Sequence, residues 1–172
     1  MKECSKSIMR RLSDPNFAAR YFCGDGIDIG GAPDPLGIYQ ELFPKMGQVR
    51  VWDLQDGDAQ FMEGVSDDSY DFIHSSHCLE HLNDPAEGLA NWFRILKPGG
   101  HLLIGMPRVS AIMPVLFRLI GFNNIEDFHI TNHRQVRSVA LKRYELVRSR
   151  TLPKYIPECG SLYFNMLFKK RP

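Results

Sequence analysis

Apolar positions along the chain switch between a strand period and a helix period, and this alternation predicts an α/β sheet. Gly26-Ile27-Asp28-Ile29 is a short buried-strand run that stops in Gly30-Gly31-Ala32-Pro33-Asp34-Pro35. Leu36 to Phe43 has the pattern of a brief helix closed by Pro44, and Val49 to Asp53 reads as a second strand ending in a carboxylate. A polar stretch follows, with turn signals at Asp56-Gly57-Asp58 and Asp67-Asp68-Ser69, before a third strand from Tyr70 to Ser75. The next helix has a full set of start signals: Asp84 as cap, Pro85 in the first turn and Glu87 completing a capping box. Leu89, Trp92, Phe93 and Leu96 give it one apolar face. Lys97-Pro98-Gly99-Gly100 should stop it, with a strand from His101 to Met106. A helix starting at Thr131 or Asn132 and running through Leu141 is expected next. Tyr144–Thr151 and Leu162–Lys169 then read as antiparallel strands joined by a Pro-rich loop.

Composition narrows the class. The 172 residues are 44% hydrophobic and 24% charged, with 11 Phe and 6 Tyr, which suits a single globular domain over 1–172. The net charge of +1 averages two unlike halves: residues 1–100 carry 9 Lys/Arg against 16 Asp/Glu, and residues 101–172 carry 12 against 4. No run of about 18 uncharged apolar residues suggests a membrane-spanning helix. The N-terminal MKECSKSIMRRLSD lacks the apolar region of a secretory signal. Cys4, Cys23, Cys78 and Cys159 form no Cys-x-x-Cys pair, which argues against a disulfide framework or a structural zinc site and suits the cytoplasm.

The chemistry-bearing residues gather at strand ends. Glycines at a strand's carboxyl edge let backbone approach a ligand where a side chain would block it. In open α/β sheets, ligands bind outside those ends. An acidic residue closing the next strand can accept hydrogen bonds from both ribose hydroxyls, and Asp53 lies 23 positions after Gly30, close to the spacing of about 20 that a nucleoside site uses. A tight turn followed by a surface aspartate is the bland alternative for these two features alone. His77-Cys78-Leu79-Glu80-His81 also spells the H-x-x-E-H of inverted zinc peptidases, a zinc hydrolase reading through His77, Glu80 and His81. That chemistry needs both histidines on one helical face, and here the motif directly follows a strand. A packed, hydrogen-bonded His81 and a proton-accepting His81 both remain open. Glu63, Asp67 and Asp68 read as a solvated turn.

The ordered series Asp28-Ile29-Gly30-Gly31, Asp53, Gly57-Asp58-Ala59, Tyr70-Asp71-Phe72-Ile73, Leu79-Glu80-His81-Leu82 and Leu96-Lys97-Pro98-Gly99-Gly100 resembles the class I S-adenosylmethionine-dependent methyltransferases, in particular the small-molecule branch called type 11. The resemblance holds in register over roughly residues 24–107 and loosely through 129–171. It implies a single Rossmann-like doubly wound sheet, mostly parallel with a C-terminal antiparallel hairpin strand. It implies S-adenosyl-L-methionine as cofactor. Asp28, Gly30 and Gly31 would form the turn at its amino-acid end, Asp53 would bind the ribose diol, and Asp58 and Ala59 would meet the adenine. Ser76 and His77 would lie near cofactor and acceptor, and His77 or His81 would be the candidate base. Metal is not called for.

Three departures from the family pattern bear on this. Ala32 and Asp34 occupy the second and third glycine positions of the D-x-G-x-G-x-G turn, and Ala32 fits only if its φ is negative. Only four residues separate Asp53 from Asp58, where the family usually inserts a helix and a strand; either that unit is pared away or one aspartate is misassigned. The N-terminal cap, residues 1–22, is short, so the acceptor pocket would be open or completed by a second subunit.

Residues 108–128 would be an acceptor-side insertion or lid. Its apolar stretch 111–122 reads as a lid, as a dimer or membrane-surface patch, or as a core helix. The resulting expectation is methyl transfer to an O, N or C atom of a small acceptor, without nucleic acid. The alternative is a non-catalytic cofactor-binding module or partner subunit. Arg108, Arg118, Arg134 and Arg137, in the basic second half, fit either an anionic acceptor or solvated surface charge.

Overall fold

The computed structural model describes residues 20–107, 138–139, 144–152 and 163–171. Six strands follow the chain: β1 (Gly24–Ile29), β2 (Met46–Trp52), β3 (Tyr70–Ser76), β4 (Leu96–Pro107), β5 (Tyr144–Leu152) and β6 (Tyr163–Lys170). They pair in the order β2-β1-β3-β4-β6-β5, with the first four parallel and the last two joined antiparallel. This is the Rossmann-like sheet with an antiparallel C-terminal hairpin that the sequence pattern implied.

Strand alternation sends apolar side chains to both faces, and each face has its own core. Ile27, Ile29, Ile73, Leu102, Ile104 and Phe168 join Leu89, Trp92 and Ile95 of helix α1 (Pro85–Ile95) in one cluster. Phe72, Leu103 and Leu167 meet Phe22, Leu36 and Phe43 in the other, where Phe22 packs against Phe43 and Phe72 at centroid distances of 5.1 and 5.2 Å. Burying each such side chain contributes roughly 1.5–3 kcal/mol, so both faces anchor the strand ends firmly.

Local chemistry sets the element ends. Asp84 caps α1 by accepting from the Ala86 and Glu87 backbone N–H groups at 2.8 and 3.1 Å. The other half of the expected capping box is relayed. Gln60 accepts from Asp84 N at 2.8 Å and donates to Glu87 Oε2 at 2.6 Å, so a loop amide stands between the two box residues. Residues Leu36–Leu42 form a 3-10 turn where the brief helix was expected. Lys97–Gly100 does not separate helix from strand. β4 begins directly at Leu96, and the four residues are absorbed as an irregularity opposite Tyr70 and Phe72, with Gly99 at φ +77°.

Ser138 and Val139 are helical, as the reading of 131–141 expects. The rest of that helix lies outside the described residues, as do the cap through residue 19, the 108–128 insertion with its apolar stretch, Arg134, Arg137 and the Pro-rich loop. Among the described residues no helix is long and apolar enough to cross a membrane.

Candidate active site

The carboxyl ends of β1, β2 and β3 open into a cleft of about 640 Å³, the size of a site for a drug-sized ligand. Gly30, Asp53, Asp58, Ala59, His77 and His81 all line it. Asp28, Gly31 and Ser76 are not among its walls.

The first wall is the β1–β2 edge. Gly30 leaves β1 at φ +74° and donates its N–H to Trp52 O at 2.8 Å. A Cβ there would stand 2.8 Å from the Cβ of Cys78, so only glycine satisfies both the backbone and the space. Asp53 Oδ2 accepts from Ala32 N at 3.1 Å and Oδ1 from Leu54 N at 2.8 Å. Each oxygen keeps a second lone pair for a ligand hydroxyl, and the two amides hold the carboxylate in one orientation.

Asp28 works underneath this wall. It is buried, its Oδ1 lies 2.6 Å from His74 Nδ1, and its Oδ2 accepts from Leu36 N at 2.7 Å. A Cβ on Gly31 would overlap the same carboxylate, so Gly31 is required for close packing on Asp28. Ala32 is absent from the residues of positive φ, which removes the steric objection to alanine in this turn. Asp34 is buried and accepts from the Tyr39 hydroxyl at 2.7 Å.

The second wall is the connection 53–69, which holds turns and neither helix nor strand. The missing βα unit is therefore pared away, and Asp53 and Asp58 both reach the cleft. Helix α1 holds this connection in place of the lost elements. Trp92 Nε1 donates to Ala59 O at 2.8 Å, Asn91 Nδ2 to Gln60 O at 2.8 Å, and Arg94 Nη1 to Val65 O at 2.6 Å and to Asp67 at 2.8 Å. Lys170 of β6 adds a bond to Asp68 at 2.7 Å. Asp58 is exposed and its Oδ1 accepts from Gln60 N at 2.8 Å.

The third wall is the corner after β3. His77 adopts φ +58° and its N–H is fixed to Gly105 O at 2.9 Å. A 3-10 turn at Leu79–His81 then folds back. This is not the α-helix that an H-x-x-E-H zinc site needs, and among the described residues no group of three or more His, Cys, Asp and Glu is placed to hold a metal. His81 is exposed, whereas Glu80 is buried beneath His77. The Cys78 thiol is pushed up to about 12, first by burial and then by the negative charges of Glu80, Asp53 and Asp28. Carboxylates thus stand near this part of the cleft wall, at Glu80 and Asp53.

Gly57, Cys78 and Leu82, which the sequence motifs contain, also line the cleft, as do Trp52, Leu54 and Asn83, to which no role was assigned from the sequence. Leu54 is 92% exposed, an apolar side chain standing free directly after the strand-ending carboxylate. Its position one residue past Asp53 was the available signal. Trp52 is fully buried and reaches Gly57 O through Nε1 at 3.1 Å, which shapes the turn before Asp58.

A mostly parallel sheet with a glycine turn at the end of β1 and a carboxylate at the end of β2 is a Rossmann-like fold, the architecture of its methyltransferase neighbours. Residues 12–146 match the family model described as "Methyltransferase domain", and the chain belongs to that family of S-adenosylmethionine-dependent proteins. Over 123 residues it is 28% identical to the ubiquinone/menaquinone biosynthesis C-methyltransferase UbiE of Proteus mirabilis, covering 59% of this chain and 47% of the relative. The chain thus spans less than half the length of the curated UbiE relatives it matches. The crystal structure of the N-methyltransferase NodS from Bradyrhizobium japonicum WM9 shares the fold with a TM-score of 0.65 at 17% identity, over 98% of this chain and 97% of NodS. NodS in complex with S-adenosyl-L-homocysteine aligns with a TM-score of 0.60 at 15% identity, over 96% and 87%.

Proposed function

We propose that this chain moves a methyl group from S-adenosyl-L-methionine to an O, N or C atom of a small acceptor. The observation that supports this most is the joint placement of Gly30, Asp53, Asp58 and Ala59 on one cleft. The site fits the cofactor on the structure's own terms. Gly30 leaves the space a Cβ would fill, and Asp53 keeps two acceptor positions. Asp53 would hold the ribose diol. Asp58 would accept from the adenine amino group, with Ala59 and the free Leu54 against the ring. Asp28 and Gly31 would act from below, by fixing the turn.

The cofactor supplies an electrophilic methyl group on a cationic sulfur, and its loss leaves a neutral thioether. The chain's own contribution is to hold donor and acceptor in line at close range, a proximity effect able to supply about 7–11 kcal/mol when alignment is good. An O–H or N–H acceptor must also lose a proton. His81, exposed on the cleft wall, is placed to take it; His77 turns Nδ1 toward Glu80 and is the second candidate. Ser76 ends β3 beside this corner. The named relatives act at carbon and at nitrogen, which supports leaving the acceptor atom open. A cytoplasmic setting agrees with the absence of a Cys-x-x-Cys pair from the sequence, and the basic second half is compatible with an anionic acceptor.

Transfer of label from methyl-labelled cofactor to a panel of small acceptors tests the activity. The expected result is a labelled product whose formation falls at least about tenfold in His81→Ala. Cofactor binding without transfer to any acceptor, and indifference to His77→Ala/His81→Ala, would point instead to a non-catalytic module.

A further inference from the structure

Among the polar groups near the cleft, Glu80 stands apart. Its side chain is fully buried, and neither carboxylate oxygen accepts a hydrogen bond among the described residues. Buried polar side chains are nearly always hydrogen-bonded, and an exception calls for a reason. His77 Nδ1 lies 3.3 Å from Glu80 Oε1. That separation is slightly long, and a small rotation of the imidazole would complete the bond.

The backbone is arranged to bring these two groups together. His77 takes up the left-handed conformation at φ +58°, which costs energy in any residue with a Cβ. Its N–H is tied to β4 through Gly105 O. The reversal lets the 3-10 turn at Leu79–His81 place residue 80 under residue 77. Strain and an unsatisfied carboxylate thus coincide on the cleft wall that faces the acceptor in the proposed reaction.

We propose that Glu80 is a positioning residue: its buried carboxylate holds a proton on His77 Nδ1 and thereby fixes the imidazole that lines the acceptor side of the cleft. The bond is the one a carboxylate makes to a catalytic imidazole when it sets ring orientation and tautomer without itself touching substrate. Glu80 acts on the reaction through His77. Its functional consequence rests on the methyl-transfer reading, but the tautomer itself does not.

Two variants separate positioning from a merely structural role. Glu80→Gln keeps an oxygen that can accept from Nδ1–H, whereas Glu80→Leu removes it and fills the space with apolar atoms. Long-range proton–nitrogen NMR of the histidine-labelled chain at pH 7.5, with His77→Gln to assign the resonance, reads the tautomer directly. His77 should carry its proton on Nδ1 in the wild type and in Glu80→Gln, and move it to Nε2 in Glu80→Leu.

The melting temperature should fall further in Glu80→Leu than in Glu80→Gln, because only the leucine leaves His77 Nδ1 without an acceptor. The affinity of Glu80→Leu for S-adenosylhomocysteine should stay within about threefold of wild type, while kcat for methyl transfer falls at least about tenfold. A wild-type His77 protonated on Nε2, a tautomer unmoved in Glu80→Leu, or equal losses of melting temperature in both variants would overturn the proposal. Failure of the wild type to bind S-adenosylhomocysteine would count against the cofactor reading instead, with the tautomer still deciding the role of Glu80.

Discussion

The two sides of the cleft are built on opposite terms. On the β1–β2 side every placed carboxylate has its partners: Asp53 accepts from two backbone amides, and Asp28 beneath it is bonded to His74 and Leu36. On the corner after β3, His77 is held at positive φ and Glu80 is buried without a hydrogen bond among the described residues. Satisfied, strand-anchored groups make a rigid surface for binding. Strain and incompletely paired polar groups persist where the surrounding structure over-determines them, and such places tend to be where chemistry is done. On the proposed function, the β1–β2 side is the binding side and the corner after β3 the reacting side.

The largest expected effect falls on the binding side. Gly30→Val would place a β-branched residue at φ +74° with its Cβ against Cys78. Affinity for S-adenosylhomocysteine should drop by about a hundredfold or more, equivalent to about 2.8 kcal/mol. Near wild-type affinity by calorimetry would mean that this turn does not face the ligand.

A smaller effect is expected from Trp92→Phe, which preserves the ring packing and removes the donor to Ala59 O. One lost hydrogen bond of about 1 kcal/mol should weaken binding by roughly three- to tenfold and lower the melting temperature. If affinity is unchanged at a temperature where both proteins are folded, α1 does not govern the adenine wall.

Away from the cleft, His101 sits against Tyr21 at a centroid distance of 5.0 Å, and its pKa is lowered, first by burial and then by Lys169 and Arg20. The folded state thus binds this proton less readily than the unfolded chain. Its contribution is intact above about pH 6.5 and declines as the pH falls from there through the folded value. The melting temperature should therefore fall between pH 7.5 and 5.5, less steeply in His101→Gln; identical slopes in the two proteins would remove His101 as the cause.

The least change is expected at Cys78. With its thiol pushed up to about 12, it should resist iodoacetamide at pH 8 in the native protein and react once the chain is unfolded. Rapid native alkylation, located by mass spectrometry, would contradict a buried thiol in a negative field.

The binding side was largely legible in the sequence, because its signals are local. A strand-ending glycine turn and a strand-ending carboxylate are visible in a few consecutive residues, and β1, β2 and β3 lie within a few positions of the expected bounds. The sheet's helix was equally plain from its cap and apolar spacing. What stayed hidden depends on contacts between distant segments. That Asp28 lies under the turn, bonded to a histidine 46 positions away, is a property of strand pairing. That four residues between Asp53 and Asp58 suffice follows from Trp92, Asn91 and Arg94 holding the connection from another element. The fate of Lys97–Gly100 was misread for the same reason: Pro and Gly signalled a stop, and pairing with β3 turned it into a strand irregularity.

The central claim, that the β1–β2 side is the nucleoside site, is tested most directly by calorimetric titration of S-adenosylhomocysteine into the wild type and Asp53→Ala. The expected result is one site per chain in the wild type and affinity about 10- to 100-fold weaker in the variant, the loss of charged hydrogen bonds worth about 1.5–3 kcal/mol. Equal affinity in the two proteins, or no binding by the wild type, would contradict it.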